Sequence, residues 1–339
     1  MRTATILASA SLFLFLCAEG GHAQSSGVKT KRGTTAVPFL EIGVGPRAVA
    51  MGESYVAIAD DASSLYWNPA GIARMEGGEA MFAHTIWFAD ITLSFATVAV
   101  TLGDFGTLGG YFYVMNSGDM PVTTEERPEG NGEIFRVQDF TVGLSYGRKL
   151  TDRVTIGGTF KFIQSSLWRL DASTIAVDGG LQYTTPLEGV SLGLSISNFG
   201  GEMAYEGTNT AVRYDPDLRV SGNNDGVIAD LHTRGWNLPL TFRFGLAYRL
   251  PLGGTHAFLV TSDVLYPNNN ANFLNVGAEY GFLGKIFLRG GFKGFFMPDR
   301  EGGLSLGAGI FLSPVKVDYS YTDMGRLSFV QRIAASVVF

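Results

Sequence analysis

The chain has 339 residues, a formal net charge of −6 at pH 7, and 17% charged against 46% hydrophobic residues. Soluble domains usually carry about 25% charged residues, so this composition argues against an ordinary soluble domain. The mild acidic excess gives no reason to expect nucleic-acid binding, which normally requires a basic patch. Beyond its N-terminus the chain has no run of about 20 apolar residues that would span a bilayer as a helix. A hydrophobic chain that is also rich in glycine and aromatic residues suggests a transmembrane β-barrel.

The first residues have the pattern of an export signal. Arg2 precedes an apolar run over residues 6–16, and small and polar residues follow it. Gly21 and Ala23 occupy positions −3 and −1 of a cleavage site, which predicts a secretory signal peptide over residues 1–23. The apolar run is too short to cross a bilayer as a helix.

The chain has one cysteine, Cys17, inside the predicted signal peptide. A lipid anchor at Cys17 is the less favoured alternative, because the bulky Leu16 stands where lipidation prefers a small residue. Cleavage after Ala23 would leave a mature chain without disulfides or thiol chemistry.

Residues 43–74 differ from the alternating segments that follow them and lie within a predicted lead-in and plug segment, residues 24–78. Pro46 suits the first turn of a short helix, where its missing N–H is harmless. Residues 48–51 favour a helical turn, and Gly52 can end it.

The second half of this stretch combines two adjacent carboxylates with a rigid turn. Asp60 or Asp61 can cap a second short helix over residues 62–66. Residues 68–71, Asn-Pro-Ala-Gly, form a turn in which proline presets φ and the asparagine side chain bonds nearby backbone. Low charge and rigid turns indicate a segment that packs inside a larger structure.

Three blocks of this stretch, residues 45–52, 59–62 and 68–71, resemble the N-terminal signature of the FadL-like outer-membrane barrels. Within that superfamily the chain is most similar to the PorV/PorQ family. The likeness reaches residues 240–248, 288–292 and 317–321 and so covers nearly the whole mature chain. The residues that carry the signature are Gly45, Arg47, Met51, Gly52, Asp60, Asp61, Asn68, Pro69 and Gly71. The resemblance implies a plug role for them, with Arg47 paired to a carboxylate of the plug or the lumen wall.

From residue 79 onward, apolar and polar residues alternate with a period of two. In residues 240–249, Phe242, Phe244 and Leu246 share one face, and Arg243 lies on the other. Such alternation is typical of strands with one apolar face, which in a membrane barrel points to lipid while the polar face lines the lumen.

Fourteen such strands are predicted, and together they make residues 79–339 an antiparallel outer-membrane β-barrel. They lie near residues 79–87, 91–101, 107–115, 137–147, 154–164, 174–183, 189–197, 240–249, 256–264, 272–280, 285–293, 303–311, 315–321 and 331–339. An even number predicts that both termini are periplasmic, with short periplasmic turns and longer outer loops. The outer connections are expected at residues 116–136, 165–173 and 198–239, among others. The closing strand ends in an aromatic residue, Phe339, which the resemblance relates to recognition by the barrel-insertion machinery.

Two outer loops, residues 116–136 and 198–239, are candidate contact regions. The outer loop over residues 198–239 carries Tyr205, Tyr214 and Trp236, which we predict as partner contacts because interface hot spots favour Trp and Tyr. An ordered loop over the mouth and a variable surface loop both fit its composition. A small basic cluster, Lys29, Lys31 and Arg32, is interpreted as a solvated tail at the periplasmic mouth.

The sequence shows no catalytic pattern. His84, His232 and His256 are scattered over separate segments, which does not support a shared metal site. Asp60 and Asp61 are adjacent on a short helix and point in different directions, so capping is favoured over paired acid–base chemistry. We therefore expect neither an enzyme nor a cofactor or metal.

The resemblance implies two alternative functions for an integral outer-membrane protein surrounded by lipid. Members of the PorV/PorQ family serve type IX protein secretion or cell-surface attachment, binding the translocon or cargo proteins. FadL relatives are channels for hydrophobic small molecules such as long-chain fatty acids. Predicted lumen residues such as Lys161, Arg243 and Arg249 favour a wet or plugged interior over an oily tunnel, so a hydrophobic ligand is the second alternative.

Overall fold

The alternating segments form strands of one closed antiparallel barrel. The computed structural model of the chain describes residues 31–215, 226–297 and 302–339, so the predicted signal peptide lies outside the described residues. The fourteen barrel strands are β1 (Gly78–Ile86), β2 (Thr92–Thr101), β3 (Thr107–Asn116), β4 (Val137–Lys149), β5 (Val154–Leu167), β6 (Leu170–Thr184), β7 (Val190–Gly200), β8 (Thr241–Pro251), β9 (His256–Pro267), β10 (Phe273–Phe282), β11 (Ile286–Phe295), β12 (Leu304–Leu312), β13 (Val315–Asp323) and β14 (Phe329–Val338).

Each strand pairs with its sequence neighbours, and the first strand closes the barrel on the last. Glu79 in β1 lies opposite Val338 in β14. Beyond this ladder, the Gly78 N–H donates to the Phe339 carbonyl at 2.6 Å, and the Phe339 N–H donates to the Gly78 carbonyl at 2.8 Å. The predicted fourteen-stranded barrel is therefore confirmed.

The predicted alternation of faces is also confirmed. On β8, Phe242, Phe244 and Leu246 are exposed on the outer surface, whereas Thr241 and Ala247 are buried inside. An apolar outer surface and a polar inner surface are the arrangement that a lipid-embedded barrel requires.

The two ends of the barrel carry connections of different kinds. One end, called the short-turn end, has turns at residues 102–106, 150–153, 185–189, 252–255, 283–285 and 313–314. The other, called the long-loop end, carries residues 117–136 and 201–240 together with shorter connections. The outer loop predicted at residues 165–173 is wrong, because the β5–β6 ladder continues until Leu167 pairs with Leu170 and leaves only a tight turn.

Of the described residues before β1, those from Val37 onward lie inside the barrel. They contain two short α-helices, α1 (Pro46–Ala50) and α2 (Ser64–Trp67), and two 3₁₀ turns, Pro38–Glu41 and Pro69–Arg74. Helix α1 packs against β11 to β14, and the second 3₁₀ turn packs against β3 to β6. We call residues 43–77 the plug. No helix in the described ranges is long and apolar enough to cross a membrane.

The lead-in to the plug begins at the long-loop end. Arg32 Nε donates to Asn270 Oδ1 at 3.2 Å, and the Ala36 N–H donates to the Asn237 carbonyl at 2.9 Å. The predicted position of Lys31 and Arg32, at the same mouth as the C-terminus, is therefore wrong. An even number of strands places Gly78, where the barrel begins, at the same end as Phe339. Residues 31 and 32 lie at the opposite end because the plug that follows them runs the length of the lumen before it reaches Gly78. The third residue of the predicted basic cluster, Lys29, lies outside the described residues.

Both long loops contain hairpins. In the first, Met120–Pro121 pairs with Ile134–Phe135. In the second, Ala211–Tyr214 pairs with Val227–Asp230, and the bridge between Met203 and Trp236 joins the two ends of the loop.

Candidate functional site

Glycines on the inner wall make room for the plug. A Cβ atom at any of nine wall positions would meet plug atoms: Gly109, Gly147, Gly157, Gly180, Gly193, Gly245, Gly277, Gly291 and Gly307. On the plug side, Gly52 has a φ of +65°, and a Cβ there would lie 2.5 Å from the Phe292 nitrogen. The polar, glycine-rich inner faces therefore line a filled interior, and the plug backbone approaches the wall backbone closely.

Arg47 lies at the centre of the plug's ionic contacts. Its guanidinium contacts Asp60 at 2.6 Å and Asp61 at 3.2 Å, both on the plug, and Glu279 of β10 at 3.1 Å. Nη1 also donates to the Tyr55 hydroxyl at 3.0 Å. A planar guanidinium with several donors suits this role, because it can bind several oxygens at once.

The network continues along the wall. Arg289 of β11 contacts Glu279 at 2.6 Å and also pairs with Asp318 of β13. Positive and negative charges therefore alternate from the plug into strands β10, β11 and β13 of the wall, in the order Arg47, Glu279, Arg289 and Asp318. Buried charges of this kind are tolerated because each has a partner of opposite sign.

Asp61 accepts hydrogen bonds inside the plug. Its Oδ1 accepts from the Ser63 N–H at 2.9 Å and the Ser63 hydroxyl at 2.5 Å, and its Oδ2 accepts from the Tyr55 hydroxyl at 2.6 Å. Burial alone would raise the pKa of Asp61, but Arg47 and these hydrogen bonds together hold the pKa below its usual value. The carboxylate therefore stays ionised and fixes the turn before α2. The predicted cap at Asp60 or Asp61 of a helix over residues 62–66 is wrong, because α2 begins at Ser64 and its N-cap position is Ser63.

Wall side chains also hold the plug backbone. Asp263 of β9 accepts from the Tyr55 N–H at 2.8 Å and the Val56 N–H at 3.0 Å. Gln182 of β6 donates to the Val56 and Ala59 carbonyls at 3.0 and 2.9 Å. These bonds satisfy backbone groups of a segment that has little regular structure of its own.

The remaining signature residues close the turn after α2. Asn68 Nδ2 donates to the Val56 carbonyl at 2.8 Å, and its Oδ1 accepts from the Ala70 N–H at 3.2 Å. Pro69 begins the 3₁₀ turn, and Gly71 is buried against the Ala59 carbonyl. Gly45 precedes α1, whereas Met51 follows it and is fully buried against the wall at Gly277. The structure thus brings all nine signature residues into the plug.

The three aromatic candidates of the second long loop lie in different environments. Tyr205 is half-buried, shares a 2.7 Å hydrogen bond with the Ser165 hydroxyl and packs against the interior cluster. Tyr214 and Trp236 are exposed. Tyr205 therefore supports the loop from inside, and only Tyr214 and Trp236 are available to a partner.

A chamber of about 190 Å³ lies between the plug and the long-loop end. Its wall includes Lys161, Arg243 and Lys293. Arg249, the other predicted lumen cation, lies instead at the short-turn end, 3.9 Å from Asp60.

The scattered histidines stay on separate elements: His84 on β1, His232 in the second long loop and His256 at the start of β9. Within the described ranges, no group of three or more His, Cys, Asp or Glu residues is placed to hold a metal ion.

Sequence reasoning missed the wall residues that bind the plug, namely Glu79, Gln182, Asp263 and Glu279, and also Arg289, which binds Glu279. Lys316 of β13 contacts Glu79 at 3.1 Å, and the second Glu79 oxygen accepts from the Ala62 N–H at 3.3 Å. The available signal was position, because each of these residues lies on the inner face of an alternating strand.

Solved structures with a similar fold include two toluene transporters and a FadL homologue. The Ralstonia pickettii toluene transporter TbuX matches with a TM-score of 0.59 and 14% identity, covering 88% of this chain and 98% of that one. The Pseudomonas putida toluene transporter TodX matches with a TM-score of 0.57 and 12% identity, covering 87% and 97%. A Pseudomonas aeruginosa FadL homologue gives 0.52 and 12%, also covering 87% and 97%. At these identities the matches show a shared FadL-like barrel fold.

A search of curated proteins gives no significant match. The sequence model of one family, described as "Type IX secretion system protein PorV", matches residues 25–233, which is more than half of the chain. Together with the closed barrel and its plug, this match shows that the chain belongs to the PorV family of bacterial outer-membrane β-barrel proteins.

Proposed function

We propose that this barrel is a non-enzymatic component of type IX protein secretion or cell-surface attachment that binds a translocon subunit or cargo proteins. The observation that carries the proposal is an exposed apolar hairpin at the long-loop end, formed by Ala211–Tyr214 and Val227–Asp230. Tyr214 is 55% exposed and Ile228 is 75% exposed. By strand register Tyr214 and Ile228 lie on opposite faces of this hairpin. Exposed apolar side chains on both faces favour contact with another protein.

The filled lumen supports the same proposal. The plug is tied to the wall by ion pairs at Arg47 and by the bonds of Asp263 and Gln182 to its backbone. A protein that works through its outer surface has no need of an open lumen, and a firmly held plug makes the barrel a rigid platform for its loops.

We propose an orientation in which the short-turn end faces the periplasm and the long-loop end faces outward. Short turns on the periplasmic side and longer loops outside are the usual arrangement of such barrels. Phe339 is then periplasmic, whereas Lys31 lies at the outer mouth. We also propose residues 1–23 as a removable export signal that precedes the lead-in and plug over residues 24–78.

The test is an affinity pull-down of the tagged barrel from its native outer membrane in mild detergent, followed by mass spectrometry. Recovery of a large translocon subunit, a surface protease or proteins that share a C-terminal domain is the expected result. Recovery of the barrel without protein partners would overturn the export role.

A second candidate function is a channel for hydrophobic small molecules. It is favoured by the fold shared with the toluene transporters and by the chamber beside the plug. A barrel that purifies alone with apolar compounds in the eluate would move the assignment to this function.

A further inference from the structure

A second cavity opens at the short-turn end, between the plug and the wall. Its volume is about 350 Å³, and two arginines line it, Arg74 of the plug and Arg249 of β8. The turns beside it, residues 185–189 and 252–255, are short and leave its mouth open to solvent. The side chain of Arg249 is accordingly 57% exposed. We call this cavity the mouth pocket.

The two guanidinium groups of the mouth pocket have N–H donors without acceptors. Arg74 Nη2 donates to the Thr184 hydroxyl at 3.0 Å, and Arg74 forms no ion pair among the described residues. None of its nitrogens is both buried and unbonded, so those without an acceptor have surface open to solvent. Arg249 lies 3.9 Å from Asp60, which is too far for a hydrogen bond. Both side chains can therefore bind an acceptor that enters the pocket.

One carboxylate of the lining, Asp60, faces these two cations. Its Oδ1 accepts from Arg47 Nη1 at 2.6 Å, so a third arginine already binds it. Burial lowers the pKa of Arg74, Asp60 raises it, and Arg249 lowers it further. Arg74 and Arg249 are therefore close enough to repel each other, and an added anionic group would relieve that repulsion.

Apolar side chains complete the lining and limit the size of the occupant. Ile58 of the plug and Leu259 of β9 lie beside two alanines, Ala57 and Ala247. A volume of about 350 Å³ is near the lower end of the roughly 300–1,000 Å³ that ligand pockets usually have. The pocket therefore suits an acidic side chain with an apolar neighbour.

The charge of the pocket favours a carboxylate. A planar guanidinium binds a carboxylate through two parallel hydrogen bonds, and arginine clusters are a recurring means of recognising acidic peptide motifs. Because the short turns leave the mouth uncovered, the surface of a second protein can reach the pocket while most of that protein stays outside the barrel.

We propose that the mouth pocket is a docking site for an acidic segment of a second protein. A carboxylate of that segment contacts Arg74 and Arg249, and an adjoining apolar side chain lies against Ile58 and Leu259. The pocket lies at the opposite end of the barrel from the exposed hairpin, so this inference goes beyond the proposed export role and does not depend on it.

The experiment measures the fluorescence anisotropy of a short peptide with the purified mature barrel in uncharged phosphatidylcholine nanodiscs. The probe is Ser-Glu-Leu-Glu-Ser, amidated at its C-terminus and labelled with an uncharged dye. The comparison peptide, Ser-Gln-Leu-Gln-Ser, has the same length and apolar centre but no carboxylates. We expect the acidic peptide to bind at least tenfold more tightly than the comparison peptide.

Substitutions then locate the site. Arg74→Gln and Arg249→Gln should each weaken binding of the acidic peptide at least fivefold. The control is Arg153→Gln, which removes an exposed cation from another turn of the same end and should alter binding less than twofold. Phosphate and benzoate, each added at the concentration of the peptide, should not displace it, because neither reproduces both its carboxylates and its apolar centre.

Each alternative result contradicts the proposal. Equal binding of the two peptides, or no binding of either, would show that the pocket does not recognise carboxylates. Unchanged binding by both Arg74→Gln and Arg249→Gln, or an equal loss by Arg153→Gln, would place the peptide elsewhere on the short-turn end. Displacement by phosphate or benzoate would assign the pocket to a small free anion instead of a protein segment. If Arg74→Gln does not fold, Arg249→Gln and the two peptides decide the question.

Discussion

Arg47 Nε donates to Glu279 Oε2 over 3.1 Å, joining the plug to strand β10 of the wall. The same guanidinium reaches Asp60 and Asp61, so it also joins the two halves of the plug on either side of Tyr55. One side chain therefore couples the fold of the plug to its attachment, and loss of that side chain should affect both.

Replacement of Arg47 by methionine should lower the free energy of unfolding by about 3–5 kcal/mol, because it leaves buried carboxylates without their cation. The measurement is denaturant unfolding of the barrel in lipid vesicles. The matched control is Arg153→Met in an exposed short turn, which should change stability by less than about 0.5 kcal/mol. Similar effects of the two substitutions would contradict the central role of Arg47.

The pairing itself is tested by a double-mutant cycle of Arg47→Met and Glu279→Gln. Groups in direct contact show coupling energies of about 0.5–3 kcal/mol, whereas independent sites are additive. We expect the double variant to be less destabilised than the sum of the single variants, since each removes the partner of the other. Strict additivity would mean that the contact contributes nothing to stability.

Two adjacent glycines of β5 offer a sharp test of plug packing. A Cβ at Gly157 would collide with Pro69 and Ala70 of the plug, whereas at Gly158 the nearest atom, the Asp178 carbonyl oxygen, lies 3.6 Å away. Gly157→Ala should destabilise the barrel by about 1–3 kcal/mol through overpacking, and Gly158→Ala should be neutral or slightly stabilising. The same unfolding assay measures both. Equal tolerance would mean that the plug does not press on the wall.

The lowered pKa of Asp61 predicts how acid acts on the plug. Its ionised form stabilises the fold, and this contribution is fully present above the unfolded-state pKa of about 3.9. It is lost as the pH falls through the lower pKa of the folded state. Asp61→Asn should therefore cost about 1–3 kcal/mol at pH 7, and its difference from the unmodified barrel should shrink below about pH 4.

Unfolding midpoints at pH 7, 5, 4 and 3 give this profile. Asp152→Asn, in an exposed turn, serves as the control and should follow the unmodified barrel at every pH. The stabilising role of the Asp61 charge would be contradicted if the unfolding midpoints of Asp61→Asn and the unmodified barrel differed by the same amount at pH 3 and pH 7.

The sequence predicts the barrel well because the alternation of apolar and polar residues within each strand shows which side chains face lipid and which face the lumen. Phe242 and Phe244 point outward and Arg243 inward in both the alternation and the structure. The same alternation shows that Glu279 faces inward. It does not show that Arg47 is the partner, because that contact depends on the path of the plug and on the stagger of distant strands.

The errors have the same origin. The sequence predicts Lys31 and Arg32 beside the C-terminus, because local sequence does not show in which direction the plug runs through the lumen. The sequence predicts Trp168 and Arg169 within a longer loop, because strand ends that extend beyond the membrane have the polar composition of a loop. Arg243 faces the lumen as predicted, but its place over the Trp67 ring becomes visible only once the path of the plug is known.

A substitution in the exposed hairpin at the long-loop end should change partner binding without changing the stability of the barrel. Ile228→Asp places a charge on an exposed apolar position, so it should leave the unfolding midpoint unchanged while lowering recovery of partner proteins at least tenfold. Hot-spot positions in an interface lose about 2 kcal/mol or more on truncation, which exceeds a tenfold loss of affinity. The measurement is quantitative mass spectrometry of pull-downs with equal amounts of each tagged barrel.

The control for this variant is Leu187→Asp, the same type of change at a residue that is 70% exposed in a turn at the short-turn end. If partners bind at the long-loop end, Leu187→Asp should recover them like the unmodified barrel, and Tyr214→Ala should lose them like Ile228→Asp. A loss confined to Leu187→Asp would place the partner surface on the periplasmic side. Equal recovery by all variants would show that the hairpin does not contact the partner, and Trp236 would then be the remaining candidate at this mouth.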